Sequence, residues 1–285
     1  MNALEPPPQV SVFNWIWTKW LYNLYVYIKA NILTDYALEV ARGNVTGVSQ
    51  VNKFGRNSNI ASGATEEIWD GSVAYVFPAT ALMTSISQTT DQTAMRGASI
   101  EIQGLNAAWE AITQTIALDA TDTTTPIVFT AATDVVLGTT GVAMLRVFRI
   151  KVLADVVSTS QIRVHNVGET VDYAIIDTGN NQTLMAIYTV PAGKTAYMTS
   201  YYAHHNPVTN QDPTSNPIGL WARDKANSYE AQIKHVVGLP TNGGFQHFYN
   251  PYTKYTEKTD LYITSSPVGK AADVSAGFDL FLIDN

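Results

Sequence analysis

The chain has 285 residues, enough for one large β domain or two smaller ones. Hydrophobic residues make up 46% of it and charged ones only 14%, so Thr, Ser, Asn and Tyr must cover much of the surface, as in β-rich proteins shielded by neighbours. The net charge of −7 argues against direct packaging of nucleic acid, and the lack of cysteine excludes disulfides, thiolate metal sites and cysteine nucleophiles.

Residues 1–8, MNALEPPP, have no basic region and no small-residue cleavage site, so no secretory signal is read there. The prolines predict a short extended spacer. Phe13, Ile16, Trp17, Trp20, Leu21, Leu24, Ile28 and Ile32 then fall at the spacing of one helical face. Asp35–Arg42 continues the helix to a stop at Gly43. Trp15, Tyr22, Tyr25, Val26 and Tyr27 occupy the other faces, which is more aromatic than a helix in water requires. Three readings compete: a helix lying on its own β domain, an arm docking on a neighbouring subunit or bundling with symmetry mates, and a membrane span. The span is disfavoured, because Asn14, Lys19 and Asn23 would each be costly in lipid. Large aromatics on several sides favour the arm.

Residues 44–72 read as a Gly/Asn-rich connector. Within it, residues 53–71 (KFGRNSNIASGATEEIWDG) hold three glycines, which permit an extended path over another surface. Trp69, beside the turn signal Asp70-Gly71, would anchor that path on the β domain or a neighbour, or else sit in its own core.

From Val73 onward the chain reads as short strands separated by turn residues. Runs fall at Val73–Phe77, Ala81–Gln88, Ala98–Leu105, Ala111–Leu118, Ile127–Thr130 and Leu145–Leu153. A second set falls at Gln161–Asn166, Asp172–Ile176, Thr183–Val190, Thr195–Ala203, Ile218–Arg223, Tyr229–Val237, Phe245–Tyr249, Thr259–Ser265 and Gly277–Ile283. Leu105–Leu118 also fits a short helix, but alternation of Thr113 and Thr115 with Ile112, Gln114 and Ile116 makes it a strand. That many strands exceed one eight-stranded jelly roll, and no internal repeat is seen. The expected fold is mainly β: antiparallel β-sandwich or jelly-roll-like modules preceded by an N-terminal helical arm. The expected division is 1–43 for the arm, 44–72 for the connector, 73–155 for a first β module and 156–285 for a second, with the seam at Ala154–Ser160.

No nucleotide-binding glycine motif, zinc-protease motif or nucleophile elbow occurs. His204 and His205 point to opposite faces of a strand, whereas His235 and His247 would meet if their strands paired across Thr241–Gly244. With a carboxylate nearby that would resemble a metal site; histidines hydrogen-bonded within a sheet are the plainer reading. Asp172, Asp177, Glu169 and Asp260 are scattered and place no glycosidase pair. The loops Asp119–Thr125 and Asn206–Asn216 are rich in oxygen ligands but lack the EF-hand order, so solvated turns are expected rather than calcium sites. No catalytic, cofactor or metal residue is therefore expected. Aromatic mass gathers instead at Tyr197, Tyr201, Tyr202, Phe245, Phe248, Tyr249, Tyr252 and Tyr255, where outward rings suit subunit interfaces or sugar-binding faces. The expected assembly contacts are Phe13, Trp17, Trp20, Leu24, Trp69, Tyr201, Tyr202 and Phe248.

The segment from Asn52-Lys53-Phe54-Gly55 to Ile68-Trp69-Asp70-Gly71 resembles the "NKFG-N…-IWDG" segment of virion structural proteins of tailed, often marine, phages. The similarity continues through residues 97–105 (GASIEIQGL), 146–153 (RVFRIKVL), 190–194 (VPAGK) and 273–279 (DVSAGFD), covering most of the chain after about residue 40. The resemblance implies a non-enzymatic component of the virion, whose partners are copies of itself and other capsid proteins. A head-associated role in decoration, cement or a vertex follows from the lack of the coiled-coil or repeated segments of a fibre shaft. The alternative is a receptor-binding module on a tail or head fibre that recognises host glycans. A depolymerase would need a tight acidic cluster.

Overall fold

The computed structural model describes residues 15–32, 35–206 and 213–285. It divides into two compact units, Met1–Gln50 and Val51–Asn285. The first holds helices α1 (Trp15–Ile32) and α2 (Tyr36–Ala41). α2 does not continue α1 but starts afresh, because the Asp35 carboxylate accepts the Ala37 N–H and caps it. Gly43, at φ 74°, stops it as the sequence predicted. No helix among the described residues is long and apolar enough to cross a membrane.

The chain is mainly β, in antiparallel sheets. The strands are β1 (Val48–Ile60), β2 (Glu66–Glu67), β3 (Ser85–Gln88), β4 (Ser99–Leu105), β5 (Ala111–Ala117), β6 (Ile127–Val128), β7 (Arg146–Val152), β8 (Ile162–His165), β9 (Asp172–Ile176), β10 (Ile187–Thr189), β11 (Lys194–Asn206), β12 (Pro217–Arg223), β13 (Gln232–Gly238), β14 (Gly244–Tyr255), β15 (Asp260–Ser265) and β16 (Ala272–Asp284). One sheet runs β1-β16-β11-β14, and a second runs β10-β15-β12-β13 with β2 also paired to β15. With β2 and β10 counted as two halves of one strand position beside β15, successive strands of this sandwich pass from one sheet to the other except at β12–β13, a jelly-roll-like connectivity. Period-two alternation fills the space between the sheets: Met198, Tyr201 and Ala203 of β11 and Val274, Phe278 and Leu280 of β16 meet Ile218 and Leu220 of β12 and Leu261 and Ile263 of β15.

β2 and β10 lie along one edge of β15, at Ser265 and Thr264 and at Tyr262 to Asp260 respectively. Between them the chain departs to build two small sheets, β6-β3-β8-β9 and β5-β4-β7, around a second core. This overturns the seam at Ala154–Ser160: β8 and β9, beyond it, pair with each other and with β3, before it. The smaller sandwich is an insertion into the larger, so the division into 73–155 and 156–285 does not hold. The middle sheet has apolar neighbours on both faces, with Leu261 and Ile263 in the first core and Tyr262 and Trp221 against the second. Every residue of β15 is accordingly buried.

The expected connector is a second correction, since residues 48–60 of it form the 13-residue strand β1 and Glu66–Glu67 form β2. Gly55 serves close approach rather than freedom, because a Cβ there would lie 2.4 Å from Ala186 N and from Ile68 O. Val73–Phe77, expected as a strand, is irregular; Tyr75 and Phe77 instead join an aromatic row from Trp69 to Tyr262 at centroid spacings of 5.2, 4.8 and 5.2 Å. The ambiguous segment Leu105–Leu118 is the β4–β5 hairpin, closed by the Leu105–Ala111 pair.

Candidate functional site

The residues expected at assembly contacts separate into three groups. Phe13 lies outside the described residues. Trp17, Trp20 and Leu24 of α1 are half-exposed, with the two indoles edge-on at 6.0 Å. Trp69 and Tyr201 are corrected: at 1% and 0% exposure they belong to the chain's own cores and offer no surface to a partner. The Trp69 indole N–H donates to Val73 O at 2.7 Å, so its turn folds inward. Alternation along β11 and β14 puts Tyr202 and Phe248 on the outer face of the first sheet, half-exposed and 69% exposed. Opposite Thr199, β14 bulges through Tyr249–Tyr252, where the register jumps from Thr253 to Phe248. Phe248, Asn250 and Tyr252 there border a shallow cleft of about 550 Å³.

His235 and His247 do meet, but not by strand pairing. β13 and β14 are edge strands of opposite sheets, and the rings stack across the sandwich at 5.2 Å. The Tyr201 hydroxyl is hydrogen-bonded to His235 Nδ1, and Phe245 and Tyr249 close the group. Burial, then the neighbouring His247, lowers the pKa of His235. The hydroxyls of Tyr249 and Tyr255 are buried nearby without a hydrogen-bond partner, and burial raises the pKa of both. Among the described residues no three His, Asp or Glu side chains are placed to share a metal ion.

The scattered carboxylates take arginine partners in separate places. Glu169 and Asp172 flank Arg163 at 3.1 and 3.6 Å. Asp260, fully buried on β15, holds Arg146 of β7 in a two-point pair at 2.9 and 3.0 Å and also accepts the Thr189 hydroxyl at 2.6 Å. Arg146 Nη1 donates to Pro78 O and Leu145 O, so this buried cation is well satisfied. Its guanidinium lies 5.1 Å from the Trp109 ring, and Tyr229 stacks on Trp109 at 5.9 Å. Trp109 and Tyr229 are bulky residues held at φ 67° and 59°, a local strain maintained by this layer. The pair fastens the inserted sandwich to the larger one. Sequence reasoning missed it: β7 carries Arg146, Arg149 and Lys151, and nothing in the sequence marks Arg146 as the buried one. Asp177 is the exception among the carboxylates. It lies near Asp70, whose pKa is pushed up to about 7 by burial in the first place and by Asp177 in part. The Asp119 loop closes on itself, its carboxylate accepting the N–H groups of Thr121 and Asp122. Part of the Asn206–Asn216 loop lies outside the described residues.

Lys53 was not singled out in the sequence. It points inward from β1, is 5% exposed, and donates to Phe148 O. Burial, then the charge of Arg149, brings its pKa down to about 7.

A scan of the chain against protein-family models and a search of curated proteins find no match.

Proposed function

We propose that this chain is a non-enzymatic structural component of a phage virion, head-associated, whose copies hold to one another and to other capsid proteins. The observation that carries the reading is the surface of α1. Leu21, Tyr22, Val26 and Ile28 are each at least 40% exposed, alongside the half-exposed Trp17, Trp20 and Leu24. An apolar helix surface this wide suits contact with other polypeptides. The resemblance around residues 52–71 supports the phage assignment. The jelly-roll-like order adds an analogy of fold, since capsid domains use it, and so do lectins. Function on this reading is mechanical: modest contacts repeated by symmetry add up to a stable particle.

The test is incorporation. Leu21→Lys and Val26→Lys, introduced together, should leave the β-sheet circular dichroism and thermal transition unchanged while removing the protein from purified particles. Normal copy number of the variant would end the proposal. A second reading, a host-glycan-binding module, is favoured by exposed Phe248 and Tyr252 bordering a cleft with Asn250. Saturable binding on a glycan array, lost in Tyr252→Ala, would favour it over the structural role.

A further inference from the structure

One flank of the larger sandwich is closed without strand pairing. β13 and β14 are the edge strands of opposite sheets, each paired along one side only. What bridges them is a group of rings. His235 of β13 stacks on His247 and on Phe245 of β14, at centroid distances of 5.2 and 5.8 Å. Tyr201 reaches the same group from β11 and packs edge-on against His235 at 5.5 Å. Both imidazoles are half-buried, whereas Tyr201 is fully buried.

A hydrogen bond spans this flank, between the Tyr201 hydroxyl and His235 Nδ1, and among the described residues that hydroxyl has no other partner. A buried hydroxyl with one partner donates to it, since its proton would otherwise point into the core unpaired. Nδ1 is therefore the acceptor, and the neutral ring carries its proton on Nε2. A second proton on His235 must go to Nδ1. It turns the acceptor into a donor, so two donors face each other and the Tyr201 proton loses its acceptor. When His247 is protonated too, the two rings carry like charges 5.2 Å apart between centroids. Unit charges at that distance disfavour each other by about fourfold even in bulk water, and by more where water is excluded. Among the described residues no negative charge offsets this: burial and then His247 act on His235, and no carboxylate does. From β14, Tyr249 and Tyr255 face the group as phenols that burial keeps uncharged. Further along the inner side of β11, His205 accepts the Asn242 N–H at Nδ1. β12, β15 and β16 present the apolar Leu220, Leu261 and Phe278.

We propose that this flank is an acid-operated latch, shut while the two imidazoles are neutral and released when they take up protons. Above the ordinary histidine value of about 6.5, the shut and open flanks are both uncharged there, and the latch holds. As pH falls through that value, the open flank binds a proton that the shut one resists, so opening grows toward acid. Release frees the unpaired edges of β13 and β14, which nothing but side chains holds together. The inserted sandwich has its own core and stays closed.

Hydrogen exchange followed by mass spectrometry on the full-length protein, at pH 7.5 and 5.5 and corrected for the intrinsic rate at each pH, follows the opening. Protection of β13 and β14 should fall by at least about fourfold at pH 5.5, with β4 and β5 of the inserted sandwich unchanged. His235→Asn puts a neutral acceptor, Oδ1, where Nδ1 stands, and should hold β13 and β14 at their pH 7.5 protection. His247→Phe keeps the stacked ring and the Tyr201–His235 bond but removes the second charge, so the fall should be smaller than in the parent. Equal protection of the parent at both pH values overturns the proposal. So does a fall shared by β4 and β5, or one that either folded variant reproduces in full.

Discussion

Lys53→Met removes a buried amine that no carboxylate neutralises among the described residues, and its consequence depends on pH in a calculable way. In the folded chain burial brings the Lys53 pKa down to about 7. In the unfolded chain it returns to about 10.4. Below pH 7 both states carry the proton, and the folded state bears the full penalty of a charge out of water. Above pH 7 the folded amine is neutral while the unfolded one remains protonated, so unfolding takes up a proton and stability rises with pH. At about 1.36 kcal/mol per unit, and with the folded amine half protonated at pH 7, the gain from pH 7 to pH 9 is about 2 kcal/mol. Methionine fills the same unbranched space without a charge. Urea unfolding of both proteins at pH 6, 7, 8 and 9 isolates the effect, since other groups titrate alike in the two chains. The advantage of Lys53→Met over the parent should be largest at pH 6 and shrink by about 2 kcal/mol between pH 7 and 9. Parallel stability curves would show that Lys53 keeps an ordinary pKa, and the burial reasoning would fail.

Arg146→Met should cost about 3–5 kcal/mol, because it leaves the buried Asp260 carboxyl with the Thr189 hydroxyl as its remaining side-chain partner. Arg146→Met with Asp260→Leu should lose less than Arg146→Met alone in urea unfolding; additive losses would contradict a coupled pair. Trp69→Ala should lower stability by about 3–5 kcal/mol, whereas Phe248→Ala should stay within about 0.5 kcal/mol. Equal losses by chemical denaturation would refute their assignment to core and surface. Gly55→Ala should cost about 1–3 kcal/mol or more, since β1 must move away from Ala186 and Ile68; a neutral thermal shift would count against that close approach.

The sequence by itself was enough for the class of fold. Period-two runs from Ala98 onward, turn residues such as Pro191-Ala-Gly193, and the 3.6-residue spacing from Trp17 to Ile28 are local signals that report which side of an element faces inward. The alternation of Tyr201 and Tyr202 predicted one ring in and one out, and they lie so. Local signals do not report what an element faces. β1 carries Gly55, Asn57 and Asn59, poor strand formers, and became a strand because β16, some 220 positions later, pairs with it. Arg146 and Asp260 stand 114 residues apart, and neither position marks the other. Trp69 reads equally as an anchor for a partner or as a core residue until the turn after it is seen closing on Val73. The insertion between β2 and β10 is of the same kind, since each edge of β15 accepts whichever strand the whole chain can deliver there. Periodicity is a property of neighbouring residues, whereas pairing, charge compensation and close approach are decided by burial between segments far apart in the chain.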